Sequence, residues 1–373
     1  MENKEKFSLK DYLFNIPKVE KIACEIHSVY PDFNKQAFIE DVISEFPKLE
    51  LKARIDHIRD MMFKYLPDDY ETALKILLQS LPAELDPEKT DDDFGDFIYA
   101  PHLEFVARYG IERKYLELSL SAIKEMTKRF SAENAIRFFI NAHPEETMAT
   151  LERWSNDDNY HVRRLCSEGT RPKLPWSPKI NIPAEQAVPI LDNLFYDKAR
   201  YVTRSVANHL NDISKKDKKL VLEILKRWKA SEKQNDREMD YIINHALRTL
   251  IKGGDPDTMK FLGLKEMVCE LSDFRIDKKV EMNSRLNFSF QLKTSSPGEI
   301  ILDYVIWFIN RNGSGKKVFK LKRTIVEKGE ALQVKKSHLL IENMTTRKLF
   351  RGAHRFELQL NGKVIKQEVF DLV

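Results

Sequence analysis

A segment of this chain repeats at a spacing of 40 residues, and that period constrains the fold more than any other property. Val162-Arg163-Arg164 returns as Val202-Thr203-Arg204, with Asp157 and Asp158 answered by Asp197 and Lys198. Another 40 residues on, Ile242-Ile243-Asn244 holds the same phase, and Ala246 and Leu250 follow Val206 and Leu210. Such a period is the length of two helices with their turns, the HEAT-like unit. One helix pair cannot bury its apolar stripe alone, so neighbours stack into a curved solenoid with a concave face. Positions 164, 168, 204 and 208 share phase and carry Arg, Glu, Arg and Asn, so they are expected to line one polar face rather than the core.

The same helical texture runs from about residue 8 to about residue 265. QAFIEDVISEFPKLELKARIDHIRDMMFKYL has apolar residues recurring at three and four and stops at Pro67; ETALKILLQSL stops at Pro82. Ser214, with Asp217 three residues on, has the form of a capping box and predicts a helix start there. Near residue 270 the period drops to two. LNFSFQLK, EIILDYVIWFIN, KKVFKLKRTIV and HRFELQLNGKVIKQEVFDLV alternate, and Asn361-Gly362 between alternating runs is a hairpin signal. Roughly seven short strands in about 100 residues suggest a sandwich of the immunoglobulin type. The expected fold is therefore an α-helical HEAT-like repeat solenoid over residues 1–268, followed by a small all-β immunoglobulin-like sandwich over 269–373.

With 42% apolar and 32% charged residues in 373, the chain has material for two real cores. No run approaches the roughly 18 apolar residues of a membrane helix. The opening MENKEKFSLKDYLFN is charged where a secretory signal would be apolar, so a cytoplasmic protein is expected. Cys24, Cys166 and Cys269 lie far apart, which argues against a disulfide framework. HExxH, GxSxG, a Gly-rich phosphate loop and zinc-type His/Cys spacing are all missing and the nine histidines are scattered, so metal chemistry is not expected. Net charge is only +4, but its sign is divided: residues 1–112 hold 14 Lys and Arg against 24 Asp and Glu, while residues 113–373 carry the basic excess. A basic remainder of this kind attracts polyanions.

RFSAENAIRFFI, HPEETMATLERW, NYHVRRLCSEGTRPKLPW and YVTRSVANHLNDISK carry a resemblance to the AlkC branch of the AlkC/AlkD HEAT-like DNA glycosylases, over residues from about 8 to 265. The basic β tail resembles the immunoglobulin-like domain that some members of that branch carry. The resemblance implies excision of bases made cationic by alkylation, notably 3-methyladenine and 3-methylcytosine, from double-stranded DNA, by a monomer without metal or cofactor.

Carried onto this sequence, the family pattern places Glu133, Glu168, Asp212 and Trp176 at the catalytic site. A cationic base is already a good leaving group, so the chemistry needs a carboxylate near a sugar that turns oxocarbenium-like. An aromatic face can hold the base and arginines the phosphates. Arg163, Arg164, Arg171, Arg204, Asn208 and Asn211 are the candidate DNA contacts, with His161 and Lys173 as possible additions. Each acid has a structural reading beside the functional one. Glu133 follows Ser131 at a helix start, Glu168 stands four residues after Arg164 and so in reach of an intrahelical pair, and Asp212 could satisfy a helix end. Trp176 could anchor a Pro-rich loop. Lys316, Lys317, Lys320, Lys322, Arg323, Lys335 and Lys336 could clasp a duplex or merely keep sheet edges soluble. The rival to an enzyme is a non-catalytic HEAT-repeat scaffold binding nucleic acid or protein.

Overall fold

The computed structural model describes residues 8–89, 94–311, 313–344 and 347–373. The chain divides into two compact units, Met1–Ala246 and Leu247–Val373. The first is helical throughout, a HEAT-like repeat; the second is an immunoglobulin-like sandwich preceded by two short helices. The change from helix to strand falls close to residue 268, but the division between compact units lies earlier, at 246/247.

Local chemistry sets the helix limits in the first unit. Asn15 caps Ile16–Val29 by accepting from Lys18 N at 3.2 Å, and Asp69 caps Tyr70–Gln79 by accepting from Thr72 N at 2.8 Å. The long periodic stretch after Asn34 is not one helix. It breaks into Lys35–Glu45 and Leu51–Tyr65 around a short 3₁₀ turn at Phe46–Lys48, because Pro47 has no amide hydrogen to continue the ladder. The expected start at Ser214 is corrected. Ser214 is the last residue of Arg200–Ser214, its hydroxyl donates to Asn211 O at 2.9 Å, and the next helix begins after Asp217, whose carboxylate accepts from Leu220 N at 2.9 Å. Asp217 wins because an ionised carboxylate caps better than a hydroxyl already bonded back into its own helix.

The 40-residue period appears as three helices packed side by side: Tyr160–Gly169, Arg200–Ser214 and Asp236–Ala246. Bonds between equivalent turns hold them. The Ser205 and Ser167 hydroxyl oxygens meet at 3.0 Å, His209 Nδ1 meets Ser167 O at 3.0 Å, and Asn211 Nδ2 donates to Ala246 O at 2.9 Å. Ala135–Ala142 approaches the first of them so closely that a Cβ on Gly169 would sit 2.5 Å from Ile136 Cγ2. Glycine is required there for contact, not for backbone freedom.

In the second unit, Arg285–Thr294 and Gly298–Asn310 turn Leu286, Phe288, Phe290, Ile300, Leu302, Tyr304 and Ile306 into one core with Phe356, Leu358 and Phe370. One sheet orders Cys269–Ile276, Arg285–Thr294 and Leu332–Leu339; the other orders Lys279–Val280, Lys363–Leu372, Gly352–Leu360, Gly298–Asn310 and Gly313–Val326. The Asn361-Gly362 hairpin is present, both residues having positive φ (47° and 78°) as a type I′ turn needs. Gly362 also meets Gly254 backbone to backbone, and Met259 and Leu264 pack on Ile301, so the short helices Arg248–Gly253 and Pro256–Phe261 belong to this unit. The lysine clusters lie on two different sheet edges: Lys316, Lys317, Lys320, Lys322 and Arg323 on Gly313–Val326, and Lys335 and Lys336 on Leu332–Leu339. Among the described residues no helix is long and apolar enough to cross a membrane.

Candidate active site

Five of the sequence candidates, Glu133, Arg164, Glu168, Arg171 and Asp212, meet in one network. Glu168, in the last turn of Tyr160–Gly169, is buried and accepts from the Ser205 hydroxyl at 2.6 Å and from the Arg171 guanidinium. The same guanidinium donates through Nη2 (2.8 Å) and Nε (3.0 Å) to Asp212, which lies in the last turn of Arg200–Ser214 and also takes Lys215 Nζ at 2.8 Å. Arg171 therefore bridges carboxylates supplied by adjacent repeats. Glu133 joins through a second arginine: Arg164 Nη1 lies 2.7 Å from Glu133 Oε2 and donates to Ser131 Oγ at 2.5 Å, while its Nη2 stands 3.7 Å from Glu168. The intrahelical Arg164–Glu168 pair expected from spacing is thus the longer contact, and Arg171 is the closer partner. Trp176 lies apart from these salt bridges, 70% exposed, on the loop that follows.

Electrostatics makes this arrangement stable. Burial alone would push the Glu168 carboxyl up; Arg164 and Arg171, with the Ser205 hydroxyl, overcome that and hold it below its ordinary range. Arg164 also lies over the rings of Tyr201 (4.6 Å) and Phe94 (5.6 Å), which meet each other edge to face. One expectation is corrected here. Arg164 and Glu168 do not sit on an open polar face but are buried, 6% and 5% exposed, because each finds an opposite charge before it loses water.

Of the candidate DNA contacts, only Arg164 and Arg171 join the carboxylates. Arg163 points elsewhere, doubly bonded to Asp197 at 2.5 and 2.9 Å and to the carbonyls of Asp157 and Asp158. Arg204 and Asn208 are half-buried, the first beside the Tyr201 ring and the second bonded to His245 Nε2 at 2.9 Å. Asn211 is buried against the end of the next repeat, His161 is buried against the Tyr160 ring, and Lys173 is exposed.

Sequence reasoning missed Arg137. It is 1% exposed and donates to three carbonyls: Gly169 at 3.0 Å, Arg171 at 2.8 Å and Pro178 at 2.5 Å. These acceptors flank the loop bearing Arg171 and Trp176, so Arg137 clamps both ends of it. The signal was available in AIRFFI, where a lone arginine interrupts an otherwise apolar helix (Ala135–Ala142). Burial and the neighbouring Arg171 push its guanidinium down to about 10. Within the clamped loop Trp176 has φ 70°, a left-handed conformation costly for a bulky residue, and Lys52 Nζ donates to its carbonyl. Among the described residues no three His, Cys, Asp or Glu side chains are placed to hold a metal ion.

The first unit thus combines a HEAT-like repeat with carboxylates held by arginines from neighbouring repeats, in one chain with an immunoglobulin-like sandwich. Residues 122–250 match the family described as DNA alkylation repair enzyme, and residues 270–373 match the C-terminal Ig-like domain described for the uncharacterised protein YhaZ. The Bacillus subtilis (strain 168) uncharacterized protein YhaZ is 32% identical over 362 residues, spanning 94% of this chain and 96% of that protein. The structure of Pseudomonas fluorescens alkylpurine DNA glycosylase AlkC, bound to DNA containing an abasic site analog, superposes with a TM-score of 0.88 at 31% identity, over 98% of this chain and all of that one. The chain belongs to the DNA alkylation repair enzyme family, in its AlkC-type branch with a C-terminal immunoglobulin-like domain.

Proposed function

We propose that the chain is a DNA glycosylase that hydrolyses the N-glycosidic bond of cationic N-alkylated bases, 3-methyladenine and 3-methylcytosine, in double-stranded DNA. The observation that carries this reading is the arginine-bridged pair Glu168 and Asp212, with Glu133 tied in through Arg164. As the C1′–N bond breaks, its electron pair passes to the cationic ring, which leaves neutral, and the sugar carries the positive charge. A fixed carboxylate beside C1′ stabilises that cation, orients the water whose oxygen bonds to C1′ and takes the proton that water loses. We assign this to Glu168 and Asp212 with Glu133 beside them, and the face of Trp176 to the cationic base, an attraction worth about 0.5–2 kcal/mol. Arg164 and Arg171 fix the acids. Arg204 and Asn208, half-buried rather than enclosed, are the members of the set that fit a phosphate role, whereas Arg163 would have to leave Asp197 to take one; the sandwich lysines fit a second grip on the duplex. Asn211 fits a supporting role through the next helix end. A monomer in the cytoplasm, associated with DNA, accords with this reading.

The reading is tested by mass analysis of bases freed from methylated duplex DNA, with a chelator present. Wild-type protein is expected to release 3-methyladenine and 3-methylcytosine, and Glu168→Gln or Asp212→Asn to lose at least about 100-fold in rate while staying folded. A scaffold has one observation in its favour: Glu168 and Asp212 are buried and already paired. Tight binding of methylated DNA with no base freed establishes the scaffold instead.

A further inference from the structure

Beside the carboxylate network the first unit contains a cavity of about 650 Å3, with Glu133 and Trp176 in its lining but neither Glu168 nor Asp212. Its walls are aromatic: Phe94, Phe97, Phe130 and Phe138, with Trp176 at one side. Its polar groups include three carboxylates, Asp56, Glu104 and Glu133, the ammonium of Lys52, and the amide of Asn134, whose Nδ2 donates to Glu104. Three features of this lining are unusual together. Phe94, Phe138 and Trp176 expose 52%, 37% and 70% of their surface. Trp176 is held in a strained backbone conformation by Lys52 and by the Arg137 clamp rather than by packing. Glu104 is largely withdrawn from water, yet the described residues offer it no salt-bridge partner; burial pushes its carboxyl up, Asn134 opposing.

We propose that this cavity is a binding site for the excised base itself, a neutral planar nitrogen heterocycle with an exocyclic amino group. Aromatic faces take such a ring by stacking, worth about 1–3 kcal/mol per base. A carboxylate with a neighbouring amide accepts from and donates to the edge of the ring, as polar groups in ligand sites do. The volume is within the range of small-molecule sites and leaves room beyond the ring, so the site takes purines and pyrimidines alike. Glu133 links the two places, since it lines the cavity and is bonded to the arginine that reaches Glu168. The inference rests on the glycosylase reading and adds a consequence to it: the product has a resting place, so the free base inhibits the enzyme.

The test titrates free 3-methyladenine into the full-length protein and follows tryptophan fluorescence, alongside the effect of the same base on release from methylated DNA. The expected result is quenching that disappears in Trp176→Phe, and inhibition of base release over the same concentration range. Phe138→Ala, at a partly exposed position whose loss the fold tolerates, and the isosteric Glu104→Gln are each expected to weaken binding about ten-fold. An enzyme that releases base normally but is neither quenched nor inhibited by millimolar free base overturns the cavity site and leaves the glycosylase reading intact. Quenching that survives unchanged in all three variants also overturns it. A protein quenched through Trp176 that frees no base keeps the cavity and removes the glycosylase reading.

Discussion

Arg137 carries its charge where, among the described residues, no carboxylate stands within ion-pair reach, and it is kept there by three carbonyls. Removing it leaves those acceptors buried and unbonded, at about 1–3 kcal/mol each when no water replaces the donor. Arg137→Met is therefore expected to lower stability by several kcal/mol, measured by urea unfolding. Arg137→Lys keeps the charge but not the fork, and is expected to recover only part. His209 shows the opposite use of burial. It is enclosed, its Nε2 has no partner among the described residues, and burial and Arg171 push its pKa down to about 4. The unfolded chain, with histidine near 6.5, binds the proton first, so stability falls as pH drops from about 6.5 to about 4, by about 3 kcal/mol at most. His209→Asn keeps a donor for Ser167 O and cannot titrate, so its melting temperature should fall less steeply across that window. Parallel slopes for the two proteins would exclude the assignment.

At the level of helices, one contact decides how near the catalytic loop lies to its clamp. Gly169 ends the helix bearing Glu168 and touches Ile136 from the helix bearing Arg137. Gly169→Ala forces the two apart or displaces Ile136, with an overpacking cost of about 1–3 kcal/mol. Because Arg137 holds Gly169 O and Arg171 O, that displacement should also slow base release. Adding Ile136→Val to Gly169→Ala removes a methyl group from the point of conflict and is expected to restore part of both losses. Additive effects in the double-mutant cycle would show that the two side chains do not meet. Helix limits themselves were largely legible from punctuation, as at Pro67 and Pro82. Ser214 misled because a serine at a helix end and one at a helix start share the same local pattern. Only the bond from its hydroxyl to Asn211 O tells them apart.

For the whole chain, the division at 246/247 rather than near 268 sets where a truncation should be made. The helices of 248–261 pack on strand residue Ile301 and on the Asn361-Gly362 turn, so cutting at 268 would strip them of their partners. Residues 1–246 alone are expected to unfold cooperatively, by circular dichroism, with binding to methylated DNA weakened and base release slowed. Undiminished release from that fragment would rule out a grip by the sandwich. In the intact protein, DNA affinity should fall linearly on a log–log scale with salt, with a shallower slope in Arg204→Ala. An unchanged slope would remove Arg204 from the phosphate contacts.

The sequence by itself determined the architecture. A 40-residue helical period and a later two-residue period are properties of apolar spacing, which is local and survives any arrangement of the units. Through the resemblance it also named Glu133, Glu168, Asp212 and Trp176 as candidates, three of which the fold joins in one network of ion pairs. Tertiary structure alone decided which arginine serves which acid. Arg163 and Arg164 are adjacent in the chain, yet a helix points neighbours about 100° apart. One of them therefore turns to Asp197 and the other to Glu133. Nor does spacing reveal that a lone arginine in an apolar helix meets three carbonyls. The ends of those hydrogen bonds lie 32, 34 and 41 residues away in the chain, and only packing brings them together.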